Sequence, residues 1–158
     1  MTLTDKIPNE TSALEGARQS LMAVLARADR DELAAILDRL GPVPPVTDLR
    51  QPETGLVMLR GRTGGEGAPF NLGEATVSRA AVRIASGEVG FCYRLGRDVH
   101  AARAAAILDA LWQDGQRRGA VEAALAPVRA RLAAEEGQVR SETAATKVDF
   151  FTLVRGED

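Results

Sequence analysis

The chain has 158 residues, of which 45% are hydrophobic and 27% charged, a length that holds one compact domain and leaves no room for a second full one. Its single cysteine, Cys92, and single histidine, His100, exclude an internal disulfide, a four-thiolate zinc or iron–sulfur site and a multi-histidine metal site built from this chain alone. A formal net charge of −2 argues against a general nucleic-acid binder, which carries a basic balance to neutralise phosphates.

No apolar run approaches the roughly 18–20 residues of a membrane span. The first sixteen residues are polar and acidic where a secretory signal is basic and then apolar. The expectation is a cytoplasmic protein without a membrane partner. The basic residues are almost all arginine, with Lys6 and Lys147 the only lysines. Arginine supplies planar, bidentate donors suited to phosphate, carboxylate and interface pairing.

Residues 1–12 read as a mobile tail, and residues 13–158 as a single domain. Leu14, Ala17, Leu21, Leu25 and Ala28 recur at helical spacing. Asp29 with Glu32 has the pattern of a capped helix start. A second helix follows with Leu33, Ile36, Leu37 and Leu40 on one stripe, stopped by Gly41-Pro42. The segment through Pro44-Pro45 is then an extended connector. The two helices are expected to form a plain hairpin rather than a DNA-reading helix-turn-helix.

The middle of the chain changes character. Leu56 to Leu59 suits a short buried strand that emerges at Arg60-Gly61-Arg62, and residues 63–67 signal a turn. From Thr76 to Ile84 the β-branched residues favour a strand over a helix. Val89, Phe91, Tyr93 and Leu95 then alternate with Gly90, Cys92 and Arg94, the clearest strand pattern in the chain. The block reads as an antiparallel meander with one face on the core.

Asp98 can cap a helix whose stripe is His100, Ala104, Ile107, Leu108 and Leu111. A further helix carries Val121, Ala124, Leu125, Val128 and Leu132. Pro127 is expected to kink or restart it, and Glu136-Gly137 to be a break or a weak point. The apolar run Val148 to Val154 reads as a terminal strand. The fold expected is α+β: an N-terminal helical hairpin, a central antiparallel β-meander packed against C-terminal helices, and a C-terminal strand.

Few residues carry chemistry. The segment Gly64 to Gly67 lacks the Gly-Lys-Ser/Thr ending of a phosphate loop, and no helix obviously follows it, so it reads as a hairpin loop. His100 falls on an apolar stripe and reads as a packed histidine rather than a general base. Cys92 faces away from Phe91 and Tyr93 and reads as a buried structural thiol.

The arginines say more. Between Gly55 and Arg103 lie Arg60, Arg62, Arg79, Arg83, Arg94, Arg97 and Arg103, against Glu66, Glu74, Glu88 and Asp98. This block is basic inside an acidic protein. Arg79 and Arg83 share a strand face across Ala81, so they can serve a phosphate or carboxylate clamp, or a solvated or interfacial face. The terminal run, with Val148, Phe150, Phe151 and Leu153, either completes the sheet or docks on another protein.

Several blocks then carry a resemblance in a shared order. They are Glu53-Thr54-Gly55-Leu56-Val57, the stretch from Gly73 to Arg83, Gly90 to Asp98, Ala106 to Leu111, and Lys147 to Gly156. Together they resemble the PhnG subunit family of the bacterial carbon–phosphorus lyase system over most of the chain after Gly16. The resemblance implies a role in phosphonate catabolism beside PhnI-, PhnH- and PhnL-like partners. There, ATP and methylphosphonate yield ribose 1-methylphosphonate 5-triphosphate with release of adenine. A separate PhnJ-like subunit, holding an iron–sulfur cluster, then breaks the carbon–phosphorus bond. The resemblance transfers no catalytic residue to any position here and implies an accessory subunit. No cofactor or metal is expected on this chain alone, and ATP enters as a substrate of the complex. The candidate anion-binding or interface residues are Arg79, Arg83 and Arg97. The candidate docking residues are Val148, Phe150, Phe151 and Leu153.

Overall fold

The computed structural model describes residues 10–64 and 66–146. Helix α1 spans Glu10–Arg27 and α2 spans Arg30–Leu40. Three strands follow, β1 (Val46–Arg62), β2 (Pro69–Ile84) and β3 (Val89–Leu95), then α3 (Val99–Gln113) and α4 (Arg118–Ala145). The expected α+β order of helices, meander and helices is present. The terminal strand expected at Val148–Val154 lies outside the described residues.

The hairpin of α1 and α2 turns at Asp29. The Asp29 backbone N–H donates to Glu32 Oε2 at 2.8 Å, one half of the capping box read from the sequence. Leu21, Leu25 and Ala28 of α1 and Leu33 and Ile36 of α2 enter the core. Leu14 and Ala17 do not. They lie on the same periodicity but remain exposed, because the outer half of α1 runs past the core.

The sheet has the order β1-β2-β3 and is antiparallel throughout. Both β1 and β2 are much longer than their apolar sequence runs. β1 begins at Val46, so the connector after Gly41 is short, and the polar stretch from Thr47 to Glu53 is strand. Its register shifts between Asp48 and Arg50 and again between Arg50 and Glu53. These irregularities let Pro52 sit in an edge strand, where its missing N–H removes no ladder bond.

Small residues decide which sheet face is inside. Ser78, Ala80, Val82, Ile84, Gly90 and Cys92 face the helices and are buried. A Cβ on Gly90 would lie 1.9 Å from the Ala106 carbonyl oxygen and 2.6 Å from the Ala110 nitrogen. Helix α3 therefore passes directly against β3. Its alanines make that approach possible: Ala101, Ala102, Ala105, Ala106 and Ala110 are all buried.

Two sequence expectations change here, and the alternative of a restart at Pro127 drops out. His100 is exposed, not packed, because it stands in the first turn of α3 where the helix leaves the core. Glu136-Gly137 does not break α4, which continues to Ala145. The roughly 1 kcal/mol helix penalty of a glycine is offset there by ion pairs of Arg27 with Glu136 and Arg131 with Glu135. Pro127 lies inside α4 on its exposed side, and the helix runs through it.

The contacts also set directions. Ser20 meets Arg129 and Arg27 meets Glu136, so α1 and α4 run parallel. Arg18 reaches Val89 and Ala28 accepts from Arg94, so β3 runs with them. Beyond Leu95, which pairs with Val77, β1 and β2 continue as a two-stranded arm. The end of α4 overshoots Arg27 at the same end of the molecule, by about 13 Å at 1.5 Å per residue.

Candidate interaction surface

The outer sheet face is built from the large residues of β3. Phe91, Tyr93 and Leu95 alternate with the buried Gly90 and Cys92, which places them on the side away from α3. Tyr93 is 53% exposed and Leu95 73%. Phe91 and Tyr93 line one wall of a groove of about 400 Å³ whose other wall is Glu15, Arg18, Gln19 and Met22 of α1.

Behind Arg18 of the groove wall a buried carboxylate ties three elements together. Asp109 of α3 is fully buried and accepts from Arg18 Nε at 2.9 Å, Arg18 Nη2 at 2.7 Å and the Phe91 backbone N–H at 2.9 Å. The hydrogen bonds that Arg18 donates to Asp109 raise the Arg18 pKa. Gln113 donates to the Val89 carbonyl at 2.7 Å. The outward main-chain groups of β3 at Val89 and Phe91 are thus closed by side chains, and α1 packs along the strand. Nothing in the sequence spacing of Arg18 and Asp109 links them. The signal available was an acid in the middle of an otherwise apolar helix.

Arg79 and Arg83 share the outer face, as their spacing implies, but Arg97 does not join them. Arg79 Nε donates to Glu53 Oε1 at 2.8 Å, and the same oxygen accepts from Arg50 Nη1 at 2.9 Å. Its guanidinium lies over Gly55, whose added Cβ would sit 3.3 Å from Arg79 Cζ. Arg83 is exposed four residues further along β2, a separation of about 13 Å between Cα atoms at strand rise. Arg97 is exposed in the loop after β3, beyond the opposite end of that row. The three do not converge on one anion. Val148, Phe150, Phe151 and Leu153 lie outside the described residues.

Cys92 is buried, as expected, and burial pushes its thiol up to about 11. It is inert at neutral pH. Among the described residues, no cluster of three or more histidine, cysteine or acidic side chains is placed to hold a metal ion. No helix among them is long and apolar enough to cross a membrane.

The arm adds a second apolar surface. Leu56, Met58, Leu59, Phe70 and Leu72 are exposed on it, which with the β3 residues makes far more apolar display than scattered surface leucines. A model of the family described as "Phosphonate metabolism protein PhnG" matches residues 16–156. The chain belongs to the PhnG family. A curated relative from Rhizobium meliloti (strain 1021), named "Alpha-D-ribose 1-methylphosphonate 5-triphosphate synthase subunit PhnG", is 56% identical over 141 residues. That alignment covers 89% of this chain and 90% of the relative. The PhnG match spans the groove, the arm and both outer-face arginines.

Proposed function

We propose that this chain is the PhnG subunit of a cytoplasmic ribose 1-methylphosphonate 5-triphosphate synthase acting in phosphonate catabolism, and that it serves as an accessory subunit. Its companions are PhnI-, PhnH- and PhnL-like subunits, with a PhnJ-like subunit for the later bond cleavage. The complex takes ATP and methylphosphonate as substrates. The observation that carries this reading is the apolar display on both faces of the sheet, Phe91, Tyr93 and Leu95 on the outer face of β3 and Leu56 and Met58 on the opposite face of the arm, on a chain whose relative is named as a synthase subunit. Such a surface suits burial against a larger partner.

The arginines fit the interface reading better than direct anion binding. Arg79 is already held by Glu53, which it shares with Arg50, and Arg83 and Arg97 stand apart from it. Purified alone, the chain should release no adenine from ATP plus methylphosphonate, and adding it to the other subunits should restore release. Arg79→Ala should weaken co-purification while each assembled complex turns over normally. A fully assembled Arg79→Ala complex that makes no product would move Arg79 to the substrate site. Adenine release by the chain alone would overturn the accessory role.

A further inference from the structure

The edge of β1 from Thr54 to Leu59 has unusual features for a solvent-exposed strand. The register fixes which main-chain groups point outward. Phe91 donates its N–H away from β2, to Asp109, so Phe91 and Ala81 form a non-hydrogen-bonded pair. By alternation Arg79, Val77, Ala75 and Gly73 turn their main-chain groups toward β1, bonding Glu53, Gly55, Val57 and Leu59. The N–H and C=O of Thr54, Leu56 and Met58 then point away from the sheet. Among the described residues no strand pairs with that edge.

Exposed edges are usually blunted by charges, proline or bulges. The first half of β1 carries all of these, with Asp48, Arg50, Pro52, Glu53 and two register shifts. From Glu53 to Leu59 the pairing is regular, and the intervening residues Thr54 to Met58 include neither charge nor proline. Leu56 is 59% exposed and Met58 52%. The arm is also only two strands wide beyond Leu95, and a two-stranded ribbon is marginal in water until a third strand or a helix covers it. The other edge of the arm is poorer ground: it carries Glu74 and Asn71, and the Gly96 N–H already bonds the Thr76 carbonyl.

We infer that this edge receives an extended, apolar segment of a companion subunit, added as a fourth strand beside β1. The charges select the occupant. Arg60 and Arg62 follow the open stretch, are exposed, and make no ion pair among the described residues. The incoming strand therefore carries carboxylates at the end that meets them. A second copy of this chain is the wrong occupant. It would bring another Arg60 and Arg62 to the same edge, while Glu53 is already engaged by Arg50 and Arg79 and Asp48 by Arg103.

The inference rests on the subunit role proposed above, and one experiment separates the two. The chain is assembled with its companion subunits, and amide exchange is followed residue by residue in the complex and in the isolated chain. Thr54, Leu56 and Met58 should exchange at least about 100-fold more slowly in the complex, while Gly55, Val57 and Leu59 change little. Leu56→Pro removes only an outward N–H and should leave the melting temperature of the isolated chain nearly unchanged. It should weaken assembly about ten-fold, the worth of one hydrogen bond of roughly 1.4 kcal/mol. If that variant unfolds, the exchange pattern alone decides. An intact complex with Thr54, Leu56 and Met58 exchanging as fast as in the free chain overturns the inference. Protection of the three amides in an isolated dimer assigns the edge to a second copy instead. No complex at all removes the subunit role and this inference with it.

Discussion

Replacing Gly90 by alanine tests the closest approach in the molecule. Its φ is not in the left-handed region, so the substitution acts through sterics alone. The new methyl would lie 1.9 Å from the Ala106 carbonyl oxygen, where real Cβ contacts stay beyond 3.0 Å. Strand β3 and helix α3 must part by about 1 Å, and both obstructing atoms are backbone, so neither can swing aside. Overpacking of a well-filled core costs about 1–3 kcal/mol and occasionally more. With rigid atoms on both sides, the upper end applies, about 3 kcal/mol. At about 2–4 °C per kcal/mol for a chain of this size, the melting temperature should fall by about 6–12 °C, followed by circular dichroism on the isolated chain. Gly55→Ala is the internal control. Its Cβ meets only the Arg79 guanidinium, at 3.3 Å, and that side chain can move, so the expected loss is below about 1 kcal/mol. Equal melting temperatures for Gly90→Ala and the parent would refute the account of α3 against β3.

Two further substitutions probe the polar anchors. Asp109→Ala strips three hydrogen bonds and leaves the Phe91 N–H and Arg18 without their acceptor. Because Arg18 is 30% exposed, the cost should sit below the range for a fully buried pair, at about 2–3 kcal/mol by urea denaturation; less than about 0.5 kcal/mol would show that the pair is not an anchor. Glu32 accepts from Arg131 Nε and Nη2, both at 2.7 Å. The Arg131 hydrogen bonds hold its carboxyl below the usual carboxylate range. A depressed folded-state pKa contributes stability above the unfolded value, about 4.3, and that contribution is lost as pH falls through the folded value. Glu32→Gln should therefore melt below the parent at pH 7, with the gap closing below about pH 4. A gap that stays constant with pH would sink the linkage.

The alternation of β3 and the capped turn at Asp29 were legible because each is a local pattern with a local cause. The first half of β1 was not. Asp48, Pro52 and Glu53 have poor strand propensity, and the stretch they interrupt becomes strand only by pairing with β2. The orientation of β3 was readable only as far as Cys92, since both of its faces carry apolar residues. Gly90 opposite the alanines of α3 is what places the small side inward. His100 was misplaced for a related reason: α3 is apolar nearly all round, so helical spacing cannot rank one stripe above another. Of the candidate residues, the shared face of Arg79 and Arg83 followed from strand parity. The pairing of Arg79 with Glu53 depends on register across the hairpin, which no single-strand pattern contains.

The side-chain closure of β3 has a consequence for how the sheet can grow. With Asp109 on the Phe91 N–H, Gln113 on the Val89 carbonyl and α1 along it, β3 is closed to another strand at these groups, whereas β1 is open from Thr54 to Met58 among the described residues. A head-to-tail addition needs two open ends to propagate into a filament. Among the described residues the Val89–Phe91 stretch of β3 offers no such end, so growth from β1 is not matched on that part of the opposite edge.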